Sequence, residues 1–290
     1  MLLVTGATGN VGKAVITALA DRGISVRALV RDPVRLPANR PPNLDVVTGD
    51  LADEQSLTRA LEGVEAAFLA SSFNPRMVEL QSRFIAAAKA AGVRRLVQLS
   101  GVGADARMCC ARTLRWLGQI ETVAKASELA VTHLRPTFYM QNLLAFAPTI
   151  AAQGLIAGPF RSTKWTWVDA RDVGAVAAAA LTDDKHAGQT YTITGAESLT
   201  YQEVADRLSR ALNRSIKYLD ITANETRGRL QAAGDSPVMI EAKLELWDAC
   251  ASNLVNVAPT TVVKDVTGRE PRSIEQFVQD YRDRLARPAA

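Results

Sequence analysis

Short apolar runs alternate along the chain with longer segments in which apolar residues recur at helical spacing. The short runs suit strands that are buried on both faces, and a spacing of three or four residues is typical of amphipathic helices. The predicted strands cover residues 2–5, 26–30, 44–47, 66–70, 96–99, 131–134 and 191–194, and a long predicted helix covers residues 77–91. This alternation predicts an α/β fold with a doubly wound parallel sheet of the Rossmann type.

The second half of the chain predicts a small C-terminal α+β lobe. Two capping boxes, Thr200 with Glu203 and Ser273 with Gln276, each mark the first turn of a helix. We expect residues 1–150 to form the dinucleotide-binding domain, with residues 165–195 returning to it. Residues 151–290 are expected to form mainly the substrate-binding lobe, and residues 287–290 have the composition of a disordered end.

A glycine-rich turn follows the first predicted strand. Its three glycines recur every three residues between that strand and a helix, which is the context that gives such a motif meaning. The first glycine permits the tight turn, the second allows close approach of a pyrophosphate, and the third lets the helix pack on the strand. The backbone N–H groups of the first helical turn then face the phosphates. The predicted cofactor contacts of this turn are Gly6, Thr8, Gly9, Asn10, Val11 and Gly12.

Arg31 ends the second predicted strand, where NAD-binding proteins carry an acidic residue that binds the ribose hydroxyls. A guanidinium suits the 2′-phosphate of NADP(H) instead, so the sequence favours NADPH over NADH. The alternative is that Arg31 is a solvated residue at the end of a strand. Asp32 precedes a proline and is expected to be a turn residue. Further cofactor contacts are predicted at the ends of other strands, at Asp50, Leu51, Ala70, Ser71, Ser72, Pro136 and Phe138.

Composition narrows the classes of function. The 290 residues carry a net charge of +4 and no dense basic run with interleaved aromatic residues, so nucleic-acid binding has little support. No apolar run approaches the roughly 20 residues of a membrane-spanning helix, and no signal peptide is expected because a predicted strand begins at Leu2. Cys109, Cys110 and Cys250 form neither a metal-ligand spacing nor a disulfide framework. The cysteines predict a reducing, cytoplasmic setting. The expected partner is a small-molecule substrate, and the expected assembly is a monomer or a homodimer.

Several stretches resemble the NmrA-like proteins, which are atypical members of the short-chain dehydrogenase/reductase superfamily. The similar stretches include GATGNVG, VRALVRDP, LVQLSGVGA, HLRPTFYMQNLL and WVDARDVGAVAAAAL, and they extend over nearly the whole chain. The family contains NADPH-dependent quinone and dye reductases as well as regulators that sense dinucleotides. The resemblance therefore implies the fold and an NADP(H) site but leaves the substrate open.

The chain departs from the superfamily at the proton donor. Most short-chain dehydrogenases use a Tyr-x-x-x-Lys pair, in which the lysine lowers the pKa of the tyrosine. Counted back from Arg135, Glu121 stands where the family often has Glu, and the Lys and Tyr positions hold Leu117 and Thr113.

Two functions stay open. Either hydride passes from NADPH to an aromatic or conjugated acceptor (a quinone, an enone or an imine-like dye) that needs little acid catalysis, or the protein only senses NADP(H).

Two other side chains are candidate catalytic residues. Tyr139 lies near the expected nicotinamide end and is either a proton donor or an aromatic wall of the pocket. Ser100 follows a strand, where it would polarise a substrate carbonyl or simply cap a turn. His133 lies within an apolar strand and is expected to be a core or surface residue, whereas His186 is expected to be solvated.

A group of large side chains is the candidate roof of the substrate cleft, and it would suit a flat acceptor. Tryptophans are also common in protein cores, which is the competing interpretation. The members of this group are Phe138, Met140, Phe160, Trp165, Trp167 and Trp247. Asp169 and Asp172 resemble the start of a short Asp-bearing helix in the family. We interpret Asp172 as a structural cap or an anchor of the lobe rather than as a catalyst.

Overall fold

A seven-stranded sheet forms the centre of the computed structural model, which describes residues 1–105 and 111–286. Its strands are β1 (Leu2–Val4), β2 (Val26–Val30), β3 (Leu44–Thr48), β4 (Ala66–Leu69), β5 (Arg95–Leu99), β6 (Ala130–Pro136) and β10 (Thr190–Ile193). They follow the order β10-β6-β5-β4-β1-β2-β3, and each neighbouring pair is parallel. The strand order reverses direction between β1 and β4, which is where ligands bind in doubly wound sheets. The predicted fold class is confirmed.

Helices cover both faces of this sheet. One face carries α1 (Asn10–Ala20), α6 (Ala170–Thr182) and α10 (Val262–Thr267). The other face carries α2 (Glu54–Leu61), α3 (Met77–Ala90), α4 (Arg112–Lys125) and α9 (Pro237–Ala251). Helices α1 and α6 can pack closely because Gly174 has no side chain. A Cβ at that position would lie only 2.5 Å from the Cβ of Ala14. The helix after the glycine-rich turn is thereby fixed against the rest of the domain.

The C-terminal lobe is built from short strands and helices around an aromatic core. Its elements are β7 (Phe138–Tyr139), α5 (Ala147–Gln153), β8 (Leu155–Gly158), β9 (Trp165–Val168), β11 (Ser198–Leu199), α7 (Tyr201–Leu212), β12 (Lys217–Asp220), α8 (Ala223–Ala232), α11 (Ile274–Asp280) and α12 (Arg282–Ala286). The strands form two small sheets, β11-β9-β7 and β12-β8. Within residues 165–195, α6 and β10 join the main domain, whereas β9 belongs to a small sheet.

The predicted aromatic roof is mostly the core of the lobe. Met140, Phe160, Trp165 and Trp167 are all buried there, and the rings of Phe160 and Tyr201 stack with 3.8 Å between centroids. Trp247 packs against the same core. Of the six predicted roof residues, only Phe138 and Trp165 also line a cavity of the site described below. The prediction was wrong for the other four, because burying large rings against one another removes more apolar surface from water than lining a cleft does.

Polar anchors hold the lobe to the main domain. Asp169 caps α6 and accepts a hydrogen bond from Gln141, at 2.8 Å. The buried Asp172 binds the backbone N–H and the guanidinium of Arg272. Asp172 is therefore the anchor that the sequence predicts. Burial raises the pKa of Asp172, and the hydrogen bonds and charge of Arg272 oppose that rise.

Other local predictions have mixed outcomes. Both predicted capping boxes are present, and the structure adds a third, in which Thr222 pairs with Glu225. His186 is not solvated: it is 3% exposed, and its Nδ1 lies 2.7 Å from the hydroxyl oxygen of Tyr191. It is buried because the turn after α6 folds back onto β10. Cys109, Cys110 and residues 287–290 lie outside the described residues. No helix in the described part of the chain has the length and apolar character needed to cross a membrane.

Candidate functional site

The glycine-rich turn has the tight geometry that a nucleotide cradle requires. Gly6 has a φ of +60°, a conformation that favours glycine. A Cβ on Gly12 would lie 2.2 Å from the carbonyl oxygen of Gly6, so the helix can pack this closely only without a side chain there. Gly9 precedes α1, which leaves the first N–H groups of that helix free of helical partners. The turn therefore offers backbone donors and a helix dipole to an anion.

A cleft of about 500 Å³ runs beside this turn, across the ends of β1 to β4. We call it the cofactor cleft. The predicted cofactor residues that line it are Gly6, Thr8, Arg31, Asp50, Leu51, Ala70, Ser71 and Ser72. Gly9, Asn10, Val11 and Gly12 shape the turn but do not line the cleft, and Pro136 and Phe138 line a neighbouring cavity instead.

Arg31 stands exposed in the cofactor cleft without a protein partner. Its guanidinium makes no hydrogen bond or ion pair with any residue of the described chain. Asp32 is occupied as the sequence predicts, since its carboxylate accepts a hydrogen bond from the N–H of Val34 and caps the turn after β2. Arg31 is therefore the cation of this strand end that is available to an anionic ligand.

A second cavity of about 340 Å³ adjoins the cofactor cleft and shares Ser71 and Ser72 with it. Its walls come from β5, α4, the segment 136–142, β9, α9 and residues 255–256. No Asp, Glu, Lys, Arg or His is among the described residues that line it. We call it the uncharged cavity. Its lining is mainly apolar, which suits a neutral organic ligand.

Helix α4 puts apolar side chains where the superfamily's proton donor would stand. Leu114 and Leu117 line the uncharged cavity, and Thr113 is buried beside them. Glu121 follows one helical turn after Leu117, as the counting from Arg135 predicted. The Lys position is therefore held by Leu117, which is part of an apolar wall, and the Tyr position by the buried Thr113.

Glu121 is the centre of a buried ionic network. Arg135 donates to both of its carboxylate oxygens, at 2.8 and 2.6 Å, and also donates to Asp105. Ser100 donates to Glu121 Oε1 at 2.6 Å. Burial acts to raise the pKa of Glu121, but the hydrogen bonds from Arg135 and Ser100 outweigh it and hold the pKa below its usual value. Glu121 is therefore ionised and is not a proton donor at neutral pH.

The two candidate catalytic residues both line the uncharged cavity. The single hydroxyl proton of Ser100 is directed to Glu121, which leaves none to polarise a substrate carbonyl. Tyr139 is half-buried, and its hydroxyl has no hydrogen-bond partner among the described residues. Burial raises the pKa of Tyr139 well above the usual range of a phenol. The geometry therefore speaks against carbonyl polarisation by Ser100, and it makes Tyr139 a weak acid.

His133 lies beneath the site as a core residue. It is 2% exposed, its Nδ1 lies 2.8 Å from Gln98 Oε1, and its Nε2 has no partner in the described structure. Burial lowers the pKa of His133 to about 4. The ring is therefore neutral at physiological pH.

The structure adds site residues that sequence reasoning missed. Arg76 lines the cofactor cleft and pairs with Glu79 at 2.9 Å. Its position in the loop after β4 could have indicated it, because ligands bind beyond strand ends. Leu246, Cys250 and Val255 line the uncharged cavity. They are more than a hundred residues away from α4 in the sequence, and no local pattern marks them.

Comparison with known proteins places the chain. Residues 1–254 match the model of the NmrA-like family. The chain belongs to that family. This NmrA-like protein is 34% identical over 281 residues to an NAD(P)H azoreductase of Xenophilus azovorans, with 97% of this chain and 98% of the relative covered.

Two further similarities extend over almost the full length of this NmrA-like protein. It is 37% identical over 290 residues to a (4-alkanoyl-5-oxo-2,5-dihydrofuran-3-yl)methyl phosphate reductase of Streptomyces griseus, with 99% of each chain covered. Among solved structures, an NADPH-dependent quinone oxidoreductase of Escherichia coli in complex with NADPH superposes with a TM-score of 0.85. That match has 24% identity and covers 97% of this chain and 99% of the other.

Proposed function

We propose that this NmrA-like protein is an NADPH-dependent reductase that transfers hydride to a neutral, conjugated acceptor. The observation that carries the proposal is the contact between two different cavities. The cofactor cleft, with its glycine-rich turn and Arg31, meets the uncharged cavity at Ser71 and Ser72. Two molecules bound side by side there would be held within reach of each other, which is the main requirement for hydride transfer.

The residues of the cofactor cleft fit NADPH. Because Gly12 has no Cβ, the start of α1 can pack tightly against the glycine-rich turn. The free N–H groups at that helix start suit a pyrophosphate. No carboxylate in the described part of the chain pairs with Arg31, so its guanidinium would bind the 2′-phosphate. NADH lacks that phosphate and is the less favoured cofactor. When bound, NADPH supplies the hydride.

The uncharged cavity supports an acceptor without a formal charge. A charged acceptor would lose its hydration without gaining an ionic partner from the described lining. The similar proteins include an azoreductase and a quinone oxidoreductase. A third acts on a phosphate ester, so only its conjugated ring, and not its charge, supports this class of acceptor. Azo groups, quinones and conjugated enones share one property, since each delocalises the charge that arrives with a hydride. We propose acceptors of this class.

The residues around the cavity also explain why such an acceptor is needed. Leu117 and Thr113 replace the lysine and tyrosine, Glu121 is ionised, and Tyr139 is a weak acid. The described residues around the cavity therefore offer no strong general acid to an alkoxide. An acceptor that spreads its charge can be protonated later by water. We keep Tyr139 as a pocket wall in contact with the acceptor rather than as the proton source.

The test is turnover of NADPH with a panel of naphthoquinones, azo dyes and enones. We expect oxidation of NADPH with at least one member of the panel. Leu117→Trp should fill the uncharged cavity and abolish turnover while leaving the Kd for NADPH unchanged. Val238→Trp is the matched control, because Val238 is exposed on α9 and lines neither cavity. Tight NADPH binding by the wild type with no turnover of any acceptor would refute the reductase and favour a dinucleotide sensor.

The expected location and the expected oligomeric state of the protein also stay proposals. A reducing, cytoplasmic setting rests on the cysteine pattern, of which the structure describes only the buried Cys250. Assembly as a monomer or a homodimer rests on no contact in this single chain. Fractionation and light scattering, respectively, test them.

A further inference from the structure

The hydroxyl of Ser100 is polarised in one direction by its surroundings. Ser100 directly follows β5, is 6% exposed and lines the uncharged cavity. Its Oγ lies 2.6 Å from Glu121 Oε1. A serine hydroxyl has one proton and two lone pairs. Because the proton is directed to the carboxylate, the hydroxyl can only accept a hydrogen bond from a molecule in the cavity.

The network behind Ser100 keeps this orientation fixed. An ionised carboxylate accepts hydrogen bonds and has no proton to return. Glu121 is held in place by two hydrogen bonds from Arg135, which is itself 2.7 Å from Asp105 Oδ2. For the proton of Ser100 to turn into the cavity, a buried carboxylate would have to lose a short charge-assisted hydrogen bond. Exposed serines have no such constraint.

We propose that Ser100 is a specificity-determining residue that binds an O–H or N–H group on the acceptor. The preferred acceptors are therefore conjugated aromatic molecules that also carry a hydroxyl or amino group. This inference rests on the proposed function, because it takes the uncharged cavity as the acceptor site. Ser100 contacts the ligand, and Glu121 is a positioning residue that acts through Ser100.

The same polarity fixes how the acceptor lies. An oxygen or nitrogen that gains negative charge during reduction would be repelled by the lone pairs of Ser100 and by the carboxylate of Glu121 behind them. The reducible group is therefore turned away from Ser100, and the hydroxyl or amino substituent is turned toward it. A conjugated acceptor with a reducible group but no donor would use only the apolar walls of the cavity.

The experiment uses two probes that cannot be reduced, 1-naphthol and 1-methoxynaphthalene. They share the ring and the oxygen, but only the naphthol can donate. Their Kd values are measured by calorimetry on the protein saturated with NADP⁺. We expect the wild type to bind the naphthol about threefold to tenfold more tightly, as one neutral hydrogen bond gives.

Three variants assign this preference. Ser100→Ala should bring the ratio of the two Kd values close to one, and Ser100→Thr should restore it because the hydroxyl returns. Glu121→Met removes the acceptor that holds the proton, so the ratio should also fall, since the freed proton can now bind the methoxy oxygen. A purely structural role of Glu121 would instead weaken both probes equally. If Glu121→Met does not fold, the Ser100 pair decides alone.

A competing donor is the carboxamide of the nicotinamide ring. The Kd for NADPH separates the two sources, and we expect it to be unchanged in Ser100→Ala. A loss of NADPH affinity with no change in the probe ratio would overturn the inference, as would a wild-type ratio of one. Turnover of quinones with a ratio of one would refute this inference alone, whereas no binding of either probe and no turnover would also refute the proposed function.

Discussion

The cofactor cleft and the uncharged cavity lie side by side at one edge of the sheet, yet they are constructed differently. The cleft is made by four strand ends and one turn, all within the first 80 residues, and it contains Arg31, Asp50 and Arg76. The cavity draws its walls from residues between Ser71 and Asn256 and has no charged side chain in its described lining. The cleft combines a glycine-rich turn with charged side chains, whereas the lining of the cavity is mainly apolar.

This difference separates binding of the cofactor from selection of the acceptor. Backbone N–H groups and a tight turn recognise the part of a dinucleotide that never changes, so their geometry has to be fixed. Side chains from distant elements set the shape of the acceptor site, so it can differ between relatives that share the fold. The names of the relatives, an azoreductase, a reductase of a dihydrofuranone methyl phosphate and a quinone oxidoreductase, are consistent with this division.

The largest effect is expected at the glycine-rich turn. Gly9→Val places two methyl groups where the pyrophosphate must approach, while a Cβ there would meet only the Gly6 carbonyl oxygen, at 3.2 Å. NADPH affinity should fall at least about a hundredfold, since losing even one charge-assisted hydrogen bond costs about 1.5–3 kcal/mol. Fluorescence titration measures this, and circular dichroism checks the fold. Tight binding with a native spectrum would contradict the cradle.

The next effect concerns the strands beneath the acceptor side. The pKa of His133 falls from 6.5 to about 4 through burial. Between these values the unfolded chain binds a proton that the folded protein does not, so stability is lost as the pH falls. The free energy of unfolding should decrease by up to about 3 kcal/mol across this range. Urea unfolding at several pH values measures it.

The control for that experiment is His133→Gln, which should show a shallower dependence on pH. The NADPH affinity of the folded variant should be unchanged, because His133 lines neither cavity. Parallel curves for the wild type and the variant would show that other groups cause the acid sensitivity.

Arg31→Ala tests the unpaired arginine of the cofactor cleft, on which the proposed preference for NADPH depends. Losing a charged hydrogen bond to a phosphate costs about 1.5–3 kcal/mol, so the Kd for NADPH should rise roughly tenfold to a hundredfold. The Kd for NADH should stay the same. Arg35→Ala is the matched control, since Arg35 is exposed nearby but lies outside the cofactor cleft. Equal losses for both cofactors would remove Arg31 from phosphate recognition.

The smallest effect is expected for Tyr139→Phe, which deletes only a hydroxyl from the uncharged cavity. Because burial raises the pKa of Tyr139, the phenol is a poor acid, and quinone reduction should stay within about tenfold of the wild-type rate. Steady-state kinetics with a naphthoquinone measures kcat. A thousandfold loss with unchanged NADPH affinity would make Tyr139 the general acid and would point to simple ketones as substrates.

The same contrast explains what the sequence could predict. Gly6, Arg31 and Asp50 lie next to strands whose periodicity is plain, so their place in the cofactor cleft follows from local pattern and sheet topology. The seven strands of the main sheet were predicted to within two residues. Local chemistry was sufficient because each strand and its following loop form one unit.

Elsewhere the local pattern was insufficient. Leu246 on α9 reaches the cavity only through long-range packing, and His186 is buried only because a turn folds onto β10. The orientation of the Ser100 hydroxyl depends on Glu121, 21 residues further along the chain. The sequence around Trp167 is compatible with a cavity wall or with a core residue, and the packing of the lobe places Trp167 in the core. These features depend on tertiary contacts that periodicity does not encode.

Helix α9 gives protein engineering a defined point of access. Leu246 and Cys250 are one helical turn apart and both face the uncharged cavity. The helix belongs to the C-terminal half of the chain and supplies no residue to the cofactor cleft. A combinatorial library at these two positions would therefore vary the shape of the acceptor site while the nucleotide-binding residues stay as they are. The fold therefore allows the choice of acceptor to be changed without altering the residues that bind the hydride donor.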